Sequence, residues 1–150
     1  MSNLDVTGVP SFCYADDESN CRRYGRLYTW EMAGRACATL GPGWRLPTDA
    51  EWTQLAQHYG GARGEDGRFG VDAYEALLKG GRSGFDAVLG GGRSGEGAYA
   101  RGDAHGFYWT ATERSAGTAV FFNFGKGSRG LYRQNEGEKE RAFAVRCVKD

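Results

Sequence analysis

The sequence carries no excess of charge of either sign. Its 19 Lys and Arg balance 19 Asp and Glu, so the formal net charge is zero. A general nucleic-acid or anionic-membrane binder shows a basic surplus, so neither is expected. No long apolar run is present, which argues against a membrane-spanning helix. Residues 1–10 have no basic stretch followed by an apolar one, so no signal peptide is expected. Two histidines and no C-x-x-C leave no ligand set at zinc spacing. Proline is scarce, at 3, whereas glycine reaches 25. That much glycine outside a collagen period implies many tight turns and long loops. The aromatics keep the chain globular, and 150 residues suffice for one domain with a real core.

The clearest local signal is Gly43-Trp44-Arg45-Leu46-Pro47-Thr48-Asp49-Ala50-Glu51-Trp52. Thr48 and Glu51 form a capping box, in which each side chain satisfies the other's backbone N–H. Pro47 sits just outside the cap and can pack on Trp52. Trp52, Leu55, Ala56 and Tyr59 then make an i, i+3, i+4, i+7 stripe, and Gly60 stops the helix. An earlier helix runs from Trp30 to about Leu40, capped by Thr29. Its stripe is Trp30, Ala33, Cys37 and Leu40, which turns Cys37 inward. Residues 71–78 read as a third, shorter helix.

Residues 1–12 read as a loose arm, and Arg26-Leu27-Tyr28 as a short strand. Residues 60–70 and 80–106 read as glycine-rich loop, with Gly-Gly-Arg-Ser-Gly occurring at 80–84 and again at 91–95. The texture then changes to strands at 107–110, 119–124, 130–133 and 142–148. In the last of these, Phe143, Val145 and Cys147 share a face by period 2, so Cys147 also points inward. Helices first and strands last make an α+β fold. The expected architecture is two main helices against a small antiparallel sheet. The four cysteines, Cys13, Cys21, Cys37 and Cys147, fit two disulfides, with buried free thiols as the alternative. A short disulfide could close the polar stretch between Cys13 and Cys21.

Several motifs resemble chemistry without its context. Residues 125–130 and 90–95 both satisfy G-x-G-x-x-G, but neither is followed by a helix pattern to receive a pyrophosphate. Lys126 is followed by Gly127 where a P-loop needs Ser or Thr. Arg101-Gly102-Asp103 is an integrin-type tripeptide that chance explains in so Gly-, Arg- and Asp-rich a chain. A Cys–His nucleophile would need a thiol near His58 or His105.

The runs GRLYTWEMAGRAC, GWRLPTDAEW, GFDAVLGGGR, GFYWTATE and AFAVRCVKD resemble the bacterial major-paralogous-domain (FISUMP) proteins. More broadly, they resemble the C-type-lectin-like fold of formylglycine-generating enzymes and of variable proteins of diversity-generating retroelements. The resemblance covers residues 25–150, leaving 1–24 as an N-terminal arm. It implies a disulfide between the first helix and the last strand, positions held here by Cys37 and Cys147. Formylglycine-generating enzymes use a reactive cysteine pair near the C-terminus, where this chain has only Cys147. Calcium-binding lectins carry a Glu-Pro-Asn or Gln-Pro-Asp loop and a Trp-Asn-Asp strand, and neither occurs here. No metal or cofactor is therefore expected.

What remains is the surface of the C-terminal third. Tyr, Trp and Arg anchor binding faces, while Ser, Gly and Asn supply adaptable contacts. In residues 119–124, Val120, Phe122 and Phe124 are expected to face the core, leaving Phe121 and Asn123 outside. The ligand-binding candidates are Trp109, Arg114, Phe121, Asn123, Arg129, Tyr132 and Gln134. Retroelement diversification at Asn-type codons cannot yield Lys, Glu, Gln, Met or Trp, and residues 114–133 hold only Lys126 from that set. Residues 134–140 mostly break the pattern. The expectation is a non-enzymatic receptor or adhesin that binds a protein or cell-surface ligand, displayed on a bacterial surface, secreted or phage-associated. The alternatives are a divergent formylglycine-generating-type enzyme, a purely structural surface domain, or an ordinary solvated face.

Overall fold

The structure, a computed structural model, describes residues 2–60 and 68–150. Most of the glycine- and charge-rich loop expected at 60–70 lies outside the described residues. A single turn of 3-10 helix, Tyr14–Asp16, leads into α1, Glu18–Tyr24. Then follow α2, Trp30–Ala38; β1, Trp44–Arg45; α3, Asp49–His58; β2, Arg68–Phe69; and α4, Val71–Leu77. The remainder is strand: β3, Gly90–Arg93; β4, Tyr99–Gly102; β5, His105–Glu113; β6, Thr118–Gly125; β7, Gly130–Glu138; and β8, Val148–Lys149. The main sheet has six strands in the order β2-β7-β6-β5-β3-β4, and β1 pairs with β8 in a second, two-stranded sheet. Among the described strand pairs, only β3 against β5 is parallel. The fold class is α+β.

The Thr48 capping box forms as the sequence specifies: Glu51 N donates to Thr48 Oγ1 at 3.1 Å and Thr48 N to Glu51 Oε2 at 2.8 Å. The cap fixes where α3 begins and so aims Trp52 at the sheet. The Trp52 indole stacks on Phe122, with ring centroids 5.2 Å apart, and touches Phe85, Tyr108 and Phe124 edgewise or tilted. With Phe69, Tyr74, Leu77, Val120 and Leu131 these rings fill the first core, between the sheet and α3 and α4. Burying each such side chain contributes about 1.5–3 kcal/mol.

The other face of the sheet is buried too. Trp109, Phe143 and Val145 pack there with Tyr28, Ala33, Ala36 and Cys37 in a second core. Cys37 and Cys147 are joined, tying α2 to the chain's end across 110 residues. Cys13 and Cys21 form the second disulfide. Leu40, expected on the inward stripe of α2, is exposed because α2 ends at Ala38 and the turn rotates it out. Trp44, which leads into α3, is half-buried.

Two loop readings and one strand boundary are corrected. Residues 2–12 are not loose: Leu4 N donates to Val145 O, Arg26 N to Leu4 O, and Phe12 pairs with Leu27. Residues 80–106 contain β3 and β4 rather than loop alone. Their glycines make room for rings. A Cβ on Gly91 would lie 2.6 Å from the Tyr14 ring and 2.7 Å from Ala100 O, and Gly91 has φ +66. The strand expected at 130–133 continues to Glu138.

Candidate functional site

Strands β5, β6 and β7 bring the C-terminal candidates together. Antiparallel register sets Trp109 opposite Phe121 and Phe107 opposite Asn123. It then sets Phe121 opposite Gln134 and Asn123 opposite Tyr132. Directly opposed residues share a face. One face therefore carries two rows, Trp109–Phe121–Gln134 and Phe107–Asn123–Tyr132, running from covered to open across the three strands.

Trp109 is not a surface residue. It is fully buried, and its indole N–H donates to Tyr28 O at 2.8 Å. Phe121 is half-buried between the core and solvent. Its ring meets Phe143 at 4.9 Å and Phe107 and Trp109 at 6.1 Å. The alternation expected along β6 is right, but the outer face is roofed by α2 and residues 142–147. Asn123 is likewise 8% exposed rather than outside.

Asn123 belongs to a polar chain instead. Its Nδ2 donates to Gln134 Oε1 at 3.3 Å, while its Oδ1 lies 2.8 Å from His105 Nδ1. This assignment of the amide requires the His105 hydrogen on Nδ1. His105 Nε2 then accepts from Arg101 Nη1 at 3.4 Å. The His105 ring stacks on Phe107 at 5.6 Å. The chain Arg101–His105–Asn123–Gln134 thus runs across the sheet face and orients the Gln134 amide at its open end.

Beside Gln134 lies a shallow groove of about 430 Å³, lined by Arg114, Phe121, Arg133, Gln134, Asn135 and Glu136. Arg114 comes from the β5–β6 turn and is exposed. Arg133 forms the fixed wall. It donates two bonds to Asp49 at 2.7 and 2.6 Å and one to Asn135 Oδ1 at 2.6 Å. The Asp49 contact raises the Arg133 pKa above its ordinary value, so this wall stays cationic. Asp49 is the first residue of α3, so the same helix start that places Trp52 also braces the groove.

Arg129 stands apart, in the β6–β7 turn, and pairs with Glu75 of α4. Arg114, Phe121 and Gln134 share the groove, and Tyr132 is on the same sheet face. Arg133, Asn135, Glu136 and His105 were missed by sequence reasoning. Asn135 and Glu136 follow from the full length of β7, which runs past the strand expected at 130–133.

The remaining sequence motifs acquire structural roles. Residues 125–130 turn the β6–β7 hairpin, with a strand and not a helix beyond. Asp103 of the Arg-Gly-Asp tripeptide accepts from Arg23 at 3.1 Å and from the Tyr24 hydroxyl. Cys13, Glu18 and Cys21 cluster, but both sulfurs are bonded to each other and offer no thiolate. All four cysteines are in disulfides, so no thiol stands near His58 or His105.

The family model of the Fibrobacter succinogenes major domain matches residues 3–149. The chain belongs to this family. The match begins ahead of both cysteines of the N-terminal disulfide, in keeping with the way residues 2–12 are stitched to the core. No curated protein and no solved structure matches the chain. Among the described residues, no helix is long and apolar enough to cross a membrane.

Proposed function

We propose that this family member is a non-enzymatic binding protein of receptor or adhesin type, with its ligand on the β6–β7 face. The single observation that carries this reading is the groove of Arg114, Phe121, Arg133, Gln134, Asn135 and Glu136. A half-exposed aromatic there is ringed by arginine and amide groups on strands braced from behind. Such a face joins an apolar anchor to adaptable hydrogen bonding. Two disulfides favour an oxidising compartment, so the ligand is a protein or cell-surface group met outside the cytoplasm.

The scaffold is read as C-type-lectin-like. The Cys37–Cys147 bond between helix and chain end agrees with that resemblance. The bonded cysteines disfavour the formylglycine-generating alternative, which needs reactive thiols. Diversification by a retroelement is a further part of this reading. Its test is the neighbouring DNA, where a near-copy of the 3′ coding end should lie beside a reverse transcriptase gene.

Binding itself is tested with the purified chain on immobilised bacterial envelope proteins and glycans. Arg114→Ala combined with Gln134→Ala should weaken the retained interaction by about 2 kcal/mol or more. If the double variant binds every retained partner as tightly as the parent chain, this face is ordinary solvated surface.

A further inference from the structure

A second groove lies away from the β6–β7 face, where α1, the end of α4, residues 87–89 and two sheet turns meet. It holds about 530 Å³ and is lined by Arg23, Tyr24, Tyr74, Leu78, Lys79, Ala87, Val88, Leu89, Asp103 and Lys126. That volume is in the range of small-molecule sites, about 300–1,000 Å³. Its floor is apolar. Tyr24, Tyr74 and Ala87 are buried, and Leu78 and Leu89 pack against the first core.

The charges around this floor do not balance. Asp103 is the one acid in the lining, and it is already held by Arg23 and the Tyr24 hydroxyl. Lys79 and Lys126 remain, both exposed, and neither has an acid partner among the described residues. Lys79 is anchored by its backbone N–H to Ala87 O at 2.9 Å, and Lys126 by its own to Ala104 O at 3.0 Å. Two ammonium groups on pinned backbone thus border an apolar trough. The phenol of Tyr74 is kept neutral, its pKa raised by burial, so it adds no opposing charge.

We propose that this groove is a binding site for a small organic carboxylate with a flat apolar body. The body would lie on Tyr24, Tyr74, Leu78 and Leu89, and the carboxylate would accept from Lys79 and Lys126. An ammonium is a compact donor that tolerates varied carboxylate positions, which suits a small acid better than a fixed bidentate partner. The site is independent of the β6–β7 face and does not depend on what that face binds.

The test uses cinnamate as the probe and uncharged cinnamamide as its control, in a titration of the full chain followed by amide NMR. Cinnamate should shift the amides of Leu78, Lys79, Val88, Leu89 and Lys126. Cinnamamide should bind at least about fivefold more weakly, because it lacks the charge-assisted hydrogen bonds. Lys79→Gln and Lys126→Gln, both surface changes, should each weaken cinnamate by about fivefold or more. Equal binding of acid and amide would overturn the proposal. So would shifts confined to other residues, no binding at millimolar cinnamate, or lysine variants that bind like the parent chain.

Discussion

Arg146 and Asn3 meet across 143 residues, with Arg146 Nε donating to Asn3 Oδ1 at 2.6 Å inside the protein. The same guanidinium donates to Phe85 O at 2.6 Å and Asp86 O at 2.8 Å, and lies 4.4 Å from the Phe85 ring centroid. Asn3 in turn donates to Tyr24 O at 2.9 Å. One buried cation thus joins the N-terminal segment, α1, the loop before β3 and the chain's end. Burial pulls its pKa below the ordinary value, yet an arginine remains charged at neutral pH.

Removing that cation should be costly. Arg146→Met leaves one amide and two carbonyl oxygens buried without their donor. The expected loss is about 3–5 kcal/mol, measured by urea denaturation. Asn3→Ala should cost about 1–3 kcal/mol by the same measure. A loss below about 1 kcal/mol for Arg146→Met would mean that water replaces the guanidinium there.

Closing a loop of 110 residues between Cys37 and Cys147 should contribute about 4–5 kcal/mol in the chain-entropy picture. The Cys13–Cys21 loop, with a separation of 8, should contribute about 2.5 kcal/mol. Replacing each pair with alanine and comparing melting curves should therefore rank the long link first. Peptide mapping without reductant should recover these two pairings and no others.

How far the sequence could be read depended on how local each cause was. The start of α3 was legible because Thr48 and Glu51 satisfy each other within one turn. Cys37 and Cys147 were legible as inward residues because period alone fixes a side. Strands β3 and β4 were not, because Gly90, Gly91 and Gly92 have no strand preference. They are strand because rings from Tyr14, Tyr24, Phe107 and Phe143 fill the space that side chains would occupy. The same limit governs the site. Period 2 correctly separates Phe121 from Phe122, but cannot say that both faces of the sheet are covered. Trp109 and Asn123 were misplaced for that reason, while Arg114 and Gln134 lie beyond the roof and are open.

Acid and alkali should act at different places. Arg45, donating two bonds to Glu51, and the Thr48 N–H hold the Glu51 carboxyl down at about 2, against an ordinary 4.5. The stabilisation is full above pH 4.5 and is lost as pH falls toward 2. Both side chains are over a third exposed, so it should amount to only about 1 kcal/mol. Glu51→Gln should flatten the stability profile in that window. Burial pushes the Tyr28 phenol up to about 12, so its contribution is full below pH 10 and declines as pH rises from there toward 12. Burial also raises Tyr24, Tyr74, Tyr99 and Tyr108, so ultraviolet titration should show a late group of tyrosines, and Tyr28→Phe should shrink that group's amplitude by one phenol.

Gly137 tests the packing beneath the groove. It pairs with Ala119 across β6 and β7, and a Cβ there would lie 2.6 Å from the Phe121 ring and 2.7 Å from the Trp109 ring. Gly137→Ala should cost about 1–3 kcal/mol by overpacking. It should also broaden or shift the Trp109 indole N–H resonance. An unchanged stability would mean that the two rings have room to move aside, and the groove would then be a softer surface than its register implies.

Binding and stability should separate residue by residue. Arg114→Ala and Tyr132→Ala touch side chains at the edge of the sheet, so each should change stability by no more than about 0.5 kcal/mol. Gln134→Ala also removes the acceptor of Asn123 Nδ2 and should cost about 1 kcal/mol. Phe121→Ala should behave differently. Its ring contacts Phe107, Trp109 and Phe143 while bordering the groove, so truncation should cost about 2–3 kcal/mol of stability as well as binding. Trp52→Ala, behind the opposite face, should cost about 3–5 kcal/mol of stability and leave the residual folded protein's binding unchanged. The measurements are chemical denaturation and affinity for whichever envelope component the chain retains. If Arg114→Ala and Gln134→Ala destabilise like core truncations, the groove is part of the scaffold. If Phe121→Ala leaves stability untouched, its ring is outside the second core and the face is broader than the groove described above.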